Sequence, residues 1–128
     1  MFLGLAGCLW RGYATIMGVH VDVLTQMAAK LCAVAESGRE VSAEGMAEYV
    51  YPAKRAREFL QQASAQQQRR SYQQFGALVD RYEAMVRDAD AARARGQRCK
   101  DLLPQLTGAR DALQTLAAEI RADLKAEG

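Results

Sequence analysis

The chain has 128 residues, 17 basic against 15 acidic side chains and a net charge of +2. That length suits one domain with a modest core, and so even a charge balance argues against nucleic acid and against a strongly anionic surface as the principal partner. Half the residues are apolar, yet nine are aromatic and there are only two prolines; with its Ala, Gln, Glu and Arg content and no Asn, this composition favours helix over sheet.

Residues 1–7 are uncharged and mostly apolar, and they read either as the remnant of a signal peptide or as an apolar lead-in. Residues 10–36 then predict a first helix, with Met17, Val21, Leu24, Met27/Ala28, Leu31 and Val34/Ala35 spaced by three and four on one face. Gly38 stands where a glycine ends a helix. Ser42 is a good N-cap for a second helix, with Glu44 in its first turn and Met46, Tyr49 and Val50 directed inward. Pro52 should kink or restart that helix, because it disfavours helical geometry at Tyr51. Ala56, Phe59, Leu60 and Ala63 continue the stripe. It fades between Gln61 and Gln74 and resumes at Phe75, Leu78/Val79, Tyr82, Met85/Val86, Ala89 and Ala92 until Gly96. A last helix carries Leu102, Leu106, Ala109, Leu113, Leu116, Ile120 and Leu124, with Asp101 as its N-cap and Pro104 in its first turn.

One short motif carries more than any of these patterns. Leu5, Ala6, Gly7 and Cys8 resemble the lipobox of bacterial lipoproteins, over four residues of the chain. The resemblance departs from the pattern in lacking a basic region upstream, so this reading takes Met1 to lie within a longer signal. It implies that Cys8 becomes the acylated N-terminus of a protein outside the cytoplasm, and Leu9 in the next position is compatible with delivery to the outer membrane. Two or three acyl chains anchor stably, at about 0.8 kcal/mol per buried methylene. Small helical lipoproteins with one disulfide, such as the pilotins of secretion systems, look alike at the level of architecture only.

If Cys8 is lipidated, Cys32 and Cys99 remain, and the resemblance implies one disulfide between them. This bears on the one ambiguous segment. Were residues 43–95 one continuous helix, the two cysteines would stand about 70 Å apart, and such a chain would dimerise as long hairpins. A turn near Ser64 to Ser71 instead yields four helices, 10–36, 43–65, 71–95 and 100–126, with both cysteines at one end. The expected fold is therefore an all-α, antiparallel up-down-up-down four-helix bundle over a single domain, residues 8–128.

No enzyme chemistry is expected. His20 lies on the inward stripe without a second histidine or a haem motif, and reads as a core or boundary residue. Glu40, Glu44 and Glu48 step along one helical face and read as solvated. No metal and no cofactor are expected. Arginine clusters at Lys54-Arg55-Arg57, Arg69-Arg70 and Arg93 to Lys100 are interleaved with acids and read as a solvated face rather than a nucleic-acid site. The most distinctive string is Tyr49-Val50-Tyr51-Pro52; Tyr49, Tyr51, Arg55 and Arg57 are the candidate partner contacts. The sequence thus points to a non-enzymatic, membrane-tethered binding or scaffolding lipoprotein facing the periplasm, with an envelope protein as partner and a homodimer as a further expectation. A cytosolic, self-associating interaction protein is the alternative.

Overall fold

The computed structural model describes the backbone from Phe2 to Gly128 and the side chains from Leu9 onward. Four helices, α1 (Phe2–Glu36), α2 (Ala43–Gln62), α3 (Arg70–Ala94) and α4 (Leu103–Glu127), form the expected bundle, and the two later connections each hold a short 3-10 turn, Ser64–Gln66 and Cys99–Leu102. The chain therefore breaks at the glutamine-rich segment, and the continuous helix over 43–95 does not form.

Periodicity accounts for the core. Met17, Val21, Leu24, Ala28, Leu31 and Ala35 of α1 are buried, as are Phe75, Leu78, Val79 and Tyr82 of α3 and Leu106, Leu113, Leu116 and Ile120 of α4. In chain order each helix packs on the next, and α4 closes the ring onto α1. Packing is uneven: α4 lies extensively against both α3 and α1, whereas α2 leans on α3 and more lightly on α1.

The ends are held by specific polar contacts. Ser42 caps α2, its hydroxyl accepting from the Gly45 amide at 2.9 Å. α1 and α3 both end in Schellman motifs. At α1 the amide of Arg39 donates to the Val34 carbonyl at 3.3 Å and that of Gly38 to Ala35 at 3.1 Å; at α3 Gln97 donates to Ala92 at 3.0 Å and Gly96 to Arg93 at 2.9 Å. Gly38 and Gly96 have φ of 78° and 81°, the left-handed region where a Cβ is strained. Gly38→Ala is accordingly expected to lower stability by about 1–2 kcal/mol, measured as a lower urea midpoint with an unchanged slope.

Three local expectations are corrected. Pro52 does not restart α2, which runs unbroken from Ala43 to Gln62 with the proline inside it. Nearby, the buried Tyr82 hydroxyl donates to the Tyr49 carbonyl at 2.6 Å and ties this stretch of α2 to α3. Asp101 does not cap the last helix, because the chain first makes a 3-10 turn at Cys99–Leu102 and α4 starts beyond it without a side-chain cap. Val50 points outward and is 51% exposed: one residue past the buried Tyr49, it is rotated about 100° around the helix.

At one end of the bundle, the start of α1, the α2–α3 turn and the end of α4 meet. The Arg69 guanidinium lies 3.9 Å from the centre of the buried Trp10 ring. Tyr72 donates to the Leu60 carbonyl at 2.5 Å, satisfying an end of α2. The carboxylate of Glu127 accepts from both the amide and the hydroxyl of Ser71, a fully buried residue at the start of α3. At the opposite end Glu40 accepts from the Cys99 amide at 3.1 Å and pairs with Arg98. Glu40 thus lies in the α1–α2 loop and not on a shared helical face with Glu44 and Glu48.

Candidate interaction surface

The string at residues 49–52 is divided by the helix that carries it. Tyr49 is 3% exposed, with the Lys30 ammonium 5.9 Å from its ring, whereas Tyr51 is 62% exposed. Burial pushes the Tyr49 phenol above its ordinary range, with the neighbouring Glu48 carboxylate acting in the same direction. The aromatic pair therefore provides one core ring and one outward ring. Two basic candidates are likewise separated. Arg55 is exposed and pairs with Glu58 one turn on, at 3.1 Å. Arg57 forks across to α3, bonding Glu83 at 2.6 Å and also Asp80. Those two carboxylates raise the Arg57 pKa further, with Glu83 contributing most.

Arg57 and Tyr49 border an open groove between α2 and α3 of about 580 Å³, together with Val50, Ala53, Lys54 and Val86. Its floor is apolar and its rim carries both signs, from Lys54 and Arg87 to Glu83 and Asp90. Tyr51 and Arg55 stand outside it. Such a groove can seat an apolar side chain of a partner flanked by paired charges.

Several other basic side chains are paired within the molecule, among them one from each of the two remaining clusters. Arg93 pairs with Asp90 at 2.9 Å, Arg70 with Asp123 at 3.3 Å and Arg121 with Asp22 at 2.7 Å. Exposed pairs of this kind contribute little to stability, about 0–1 kcal/mol each.

His20 is half-buried between the rings of Phe59 and Phe75, with centroids 5.4 and 6.1 Å away. Burial lowers its pKa from the usual ~6.5, and the Arg55 charge lowers it further. The unfolded chain therefore binds this proton more readily than the folded one, so stability rises with pH through this range and is lost as pH falls below about 6.5. Urea titrations at pH 5 and pH 7.5 are expected to differ by a component that His20→Gln removes.

The bridge between Cys32 and Cys99 is not formed. Both are free, buried thiols, 2% and 8% exposed. The bundle does bring them to the same end, close enough for Cys32 to add to the upward shift of the Cys99 thiol. Cys32 sits on α1 within the field of Arg110 and Asp111 of α4, whereas the Cys99 backbone is tied to Glu40 and the residue borders a small cavity together with Leu31, Met46 and Leu102. Burial pushes both thiols up, which makes them small apolar core residues rather than reactive ones. Cys8, the expected lipidation site, lies outside the described side chains. Among the described residues no group of three or more metal-ligating side chains comes together, and no helix is long and apolar enough to cross a membrane.

One surface escaped the inward-stripe reading. Leu9, Ile16, Val19 and Val23 of α1 are 56%, 47%, 57% and 37% exposed, and with Gly12 they recur every three and four residues. The signal was available in the spacing, one residue out of step with Trp10, Met17 and Leu24 of the core. No family model, curated protein or solved structure matches the chain.

Proposed function

We propose that this chain is a non-enzymatic helical binding module, held at a bacterial membrane by acyl chains on Cys8 and facing the periplasm. The observation that carries this reading is the tetrad Leu5-Ala6-Gly7-Cys8. Two features of the bundle are compatible with it. Removal of the residues before Cys8 leaves Trp10 seated in the core, so the anchor point is only two residues from a fixed part of the bundle. The apolar exposed side chains Leu9 and Ile16 follow directly, on a helix whose first charge is Arg11. An envelope protein is the partner class proposed, with Tyr51, Val50 and the α2–α3 groove as its contact surface.

Fractionation of the native host tests the tether. The protein is expected in the membrane pellet and released by detergent but not by salt, and Cys8→Ser is expected to move it to the soluble fraction. Equal partitioning of wild type and Cys8→Ser would contradict the reading.

A further inference from the structure

α1 carries two apolar seams. The first, from Trp10 through Leu24 to Ala35, is buried in the bundle. The second comprises Leu9, Gly12, Ile16, Val19 and Val23, and at 100° per residue its centre lies about 125° round the helix from the first, on the exposed side. Its 3-4-3-4 spacing is that of heptad positions a and d, the narrow seam that a second helix meets side chain by side chain. A helix that only rests on lipid needs a wide apolar face and no such register. Gly12 adds a hole: a Cβ placed there would meet no atom within 4 Å.

We propose that this seam docks, antiparallel, on the same seam of a second copy of the chain. Charge selects both the occupant and its direction. From Leu9 to Ala29 the formally charged side chains of α1 are Arg11 and Asp22, one near each end of the seam. They lie on the same flank, within about 20° of one another and about 110° round the helix from the centre of the seam, so that the long Arg11 side chain must reach across to make a pair. Arg11 has no carboxylate partner among the described residues, whereas Asp22 accepts from Arg121 through Oδ1. In an antiparallel pair related by a two-fold axis, each flank meets its own counterpart. Setting Ile16 opposite Val19 of the second copy then places Gly12 opposite Val23, and brings Arg11 within about 3 Å along the axis of the other copy's Asp22. Both ends of the interface gain an opposite-charge pair. In a parallel pair the same flank faces the side bearing Tyr13 and His20, and the complementarity is lost.

The seam spans about 20 Å, which places it among small interfaces with dissociation constants in roughly the micromolar range. The test is sedimentation equilibrium of the full chain carrying Cys8→Ser, from about 1 µM to 500 µM, at low ionic strength. A monomer–dimer equilibrium is expected, weakened at least about tenfold by Val19→Glu, which adds a charge to the seam. Arg11→Glu is expected to weaken it as well, and Arg11→Glu combined with Asp22→Arg to recover most of that loss. Arg11, Val19 and Asp22 are exposed, and circular dichroism checks that each variant is folded. A chain that stays monomeric throughout, or a dimer indifferent to Val19→Glu, overturns the proposal. Failure of the double swap to recover overturns the antiparallel register. Binding of the monomer to phosphatidylcholine vesicles, without dimerisation, assigns the seam to lipid and also overturns it. Because Cys8 is replaced, none of these outcomes depends on the tether.

Discussion

Phe75→Ala is expected to destabilise the bundle by about 3–5 kcal/mol, the largest effect of any single truncation considered. Phe75 is fully buried, its ring edge-on to Phe59 at 5.7 Å and 6.1 Å from His20. These three side chains come from α3, α2 and α1, so removing the ring opens a void where three helices meet rather than at a seam that two can close. A domain of this size holds about 5–15 kcal/mol in all, and α2, the helix with the lighter contacts to α1, relies on this cluster. Guanidinium unfolding followed by far-UV circular dichroism measures the loss. Tyr82→Phe provides the scale: it keeps the buried ring and removes only the hydroxyl bonded to the Tyr49 carbonyl, so about 1 kcal/mol is expected. A loss for Phe75→Ala no larger than that would contradict the packing described for this cluster.

Glu127→Ala, one residue from the end of the chain, is expected to cost about 2–3 kcal/mol. The carboxylate of Glu127 accepts from the amide and hydroxyl of Ser71, at the start of α3, and Ser71 is 0% exposed. Substitution leaves two buried donors without an acceptor, and also removes a negative charge from a helix N-terminus. Ser71→Ala combined with Glu127→Ala is expected to recover part of the loss, because the hydroxyl is then absent too. A midpoint unchanged by Glu127→Ala would show that solvent replaces the carboxylate at no cost.

Much of the bundle was legible because burial along a helix is periodic. Met17, Leu24 and Leu31, Phe75 and Tyr82, and Leu113 and Ile120 could be assigned to one core by spacing alone. The break at residues 61–74 was not periodic information: the apolar stripe merely fades there, and it was the four similar helix lengths and the common end for Cys32 and Cys99 that argued for a turn. Contacts between residues far apart in the chain were not legible. Nothing in the local sequence tells Glu127 that it caps Ser71, or Glu40 that it meets the Cys99 amide, since both depend on which helix ends the fold assembles. Val50 was misplaced because an apolar residue beside a buried one was assigned its neighbour's direction. Tyr49 and Tyr51 were grouped by adjacency, yet helical geometry sends one ring inward and one out. The outward α1 seam was present in the spacing but lay beside a stronger inward stripe that claimed the same helix.

The most direct measurement is the mass of the N-terminal fragment from protein isolated out of its host's membranes. A fragment beginning at residue eight, heavier than its amino acids by two or three fatty acyl groups and a glycerol, is the predicted result. An unmodified thiol at that position, in a polypeptide recovered from the soluble extract, contradicts the account.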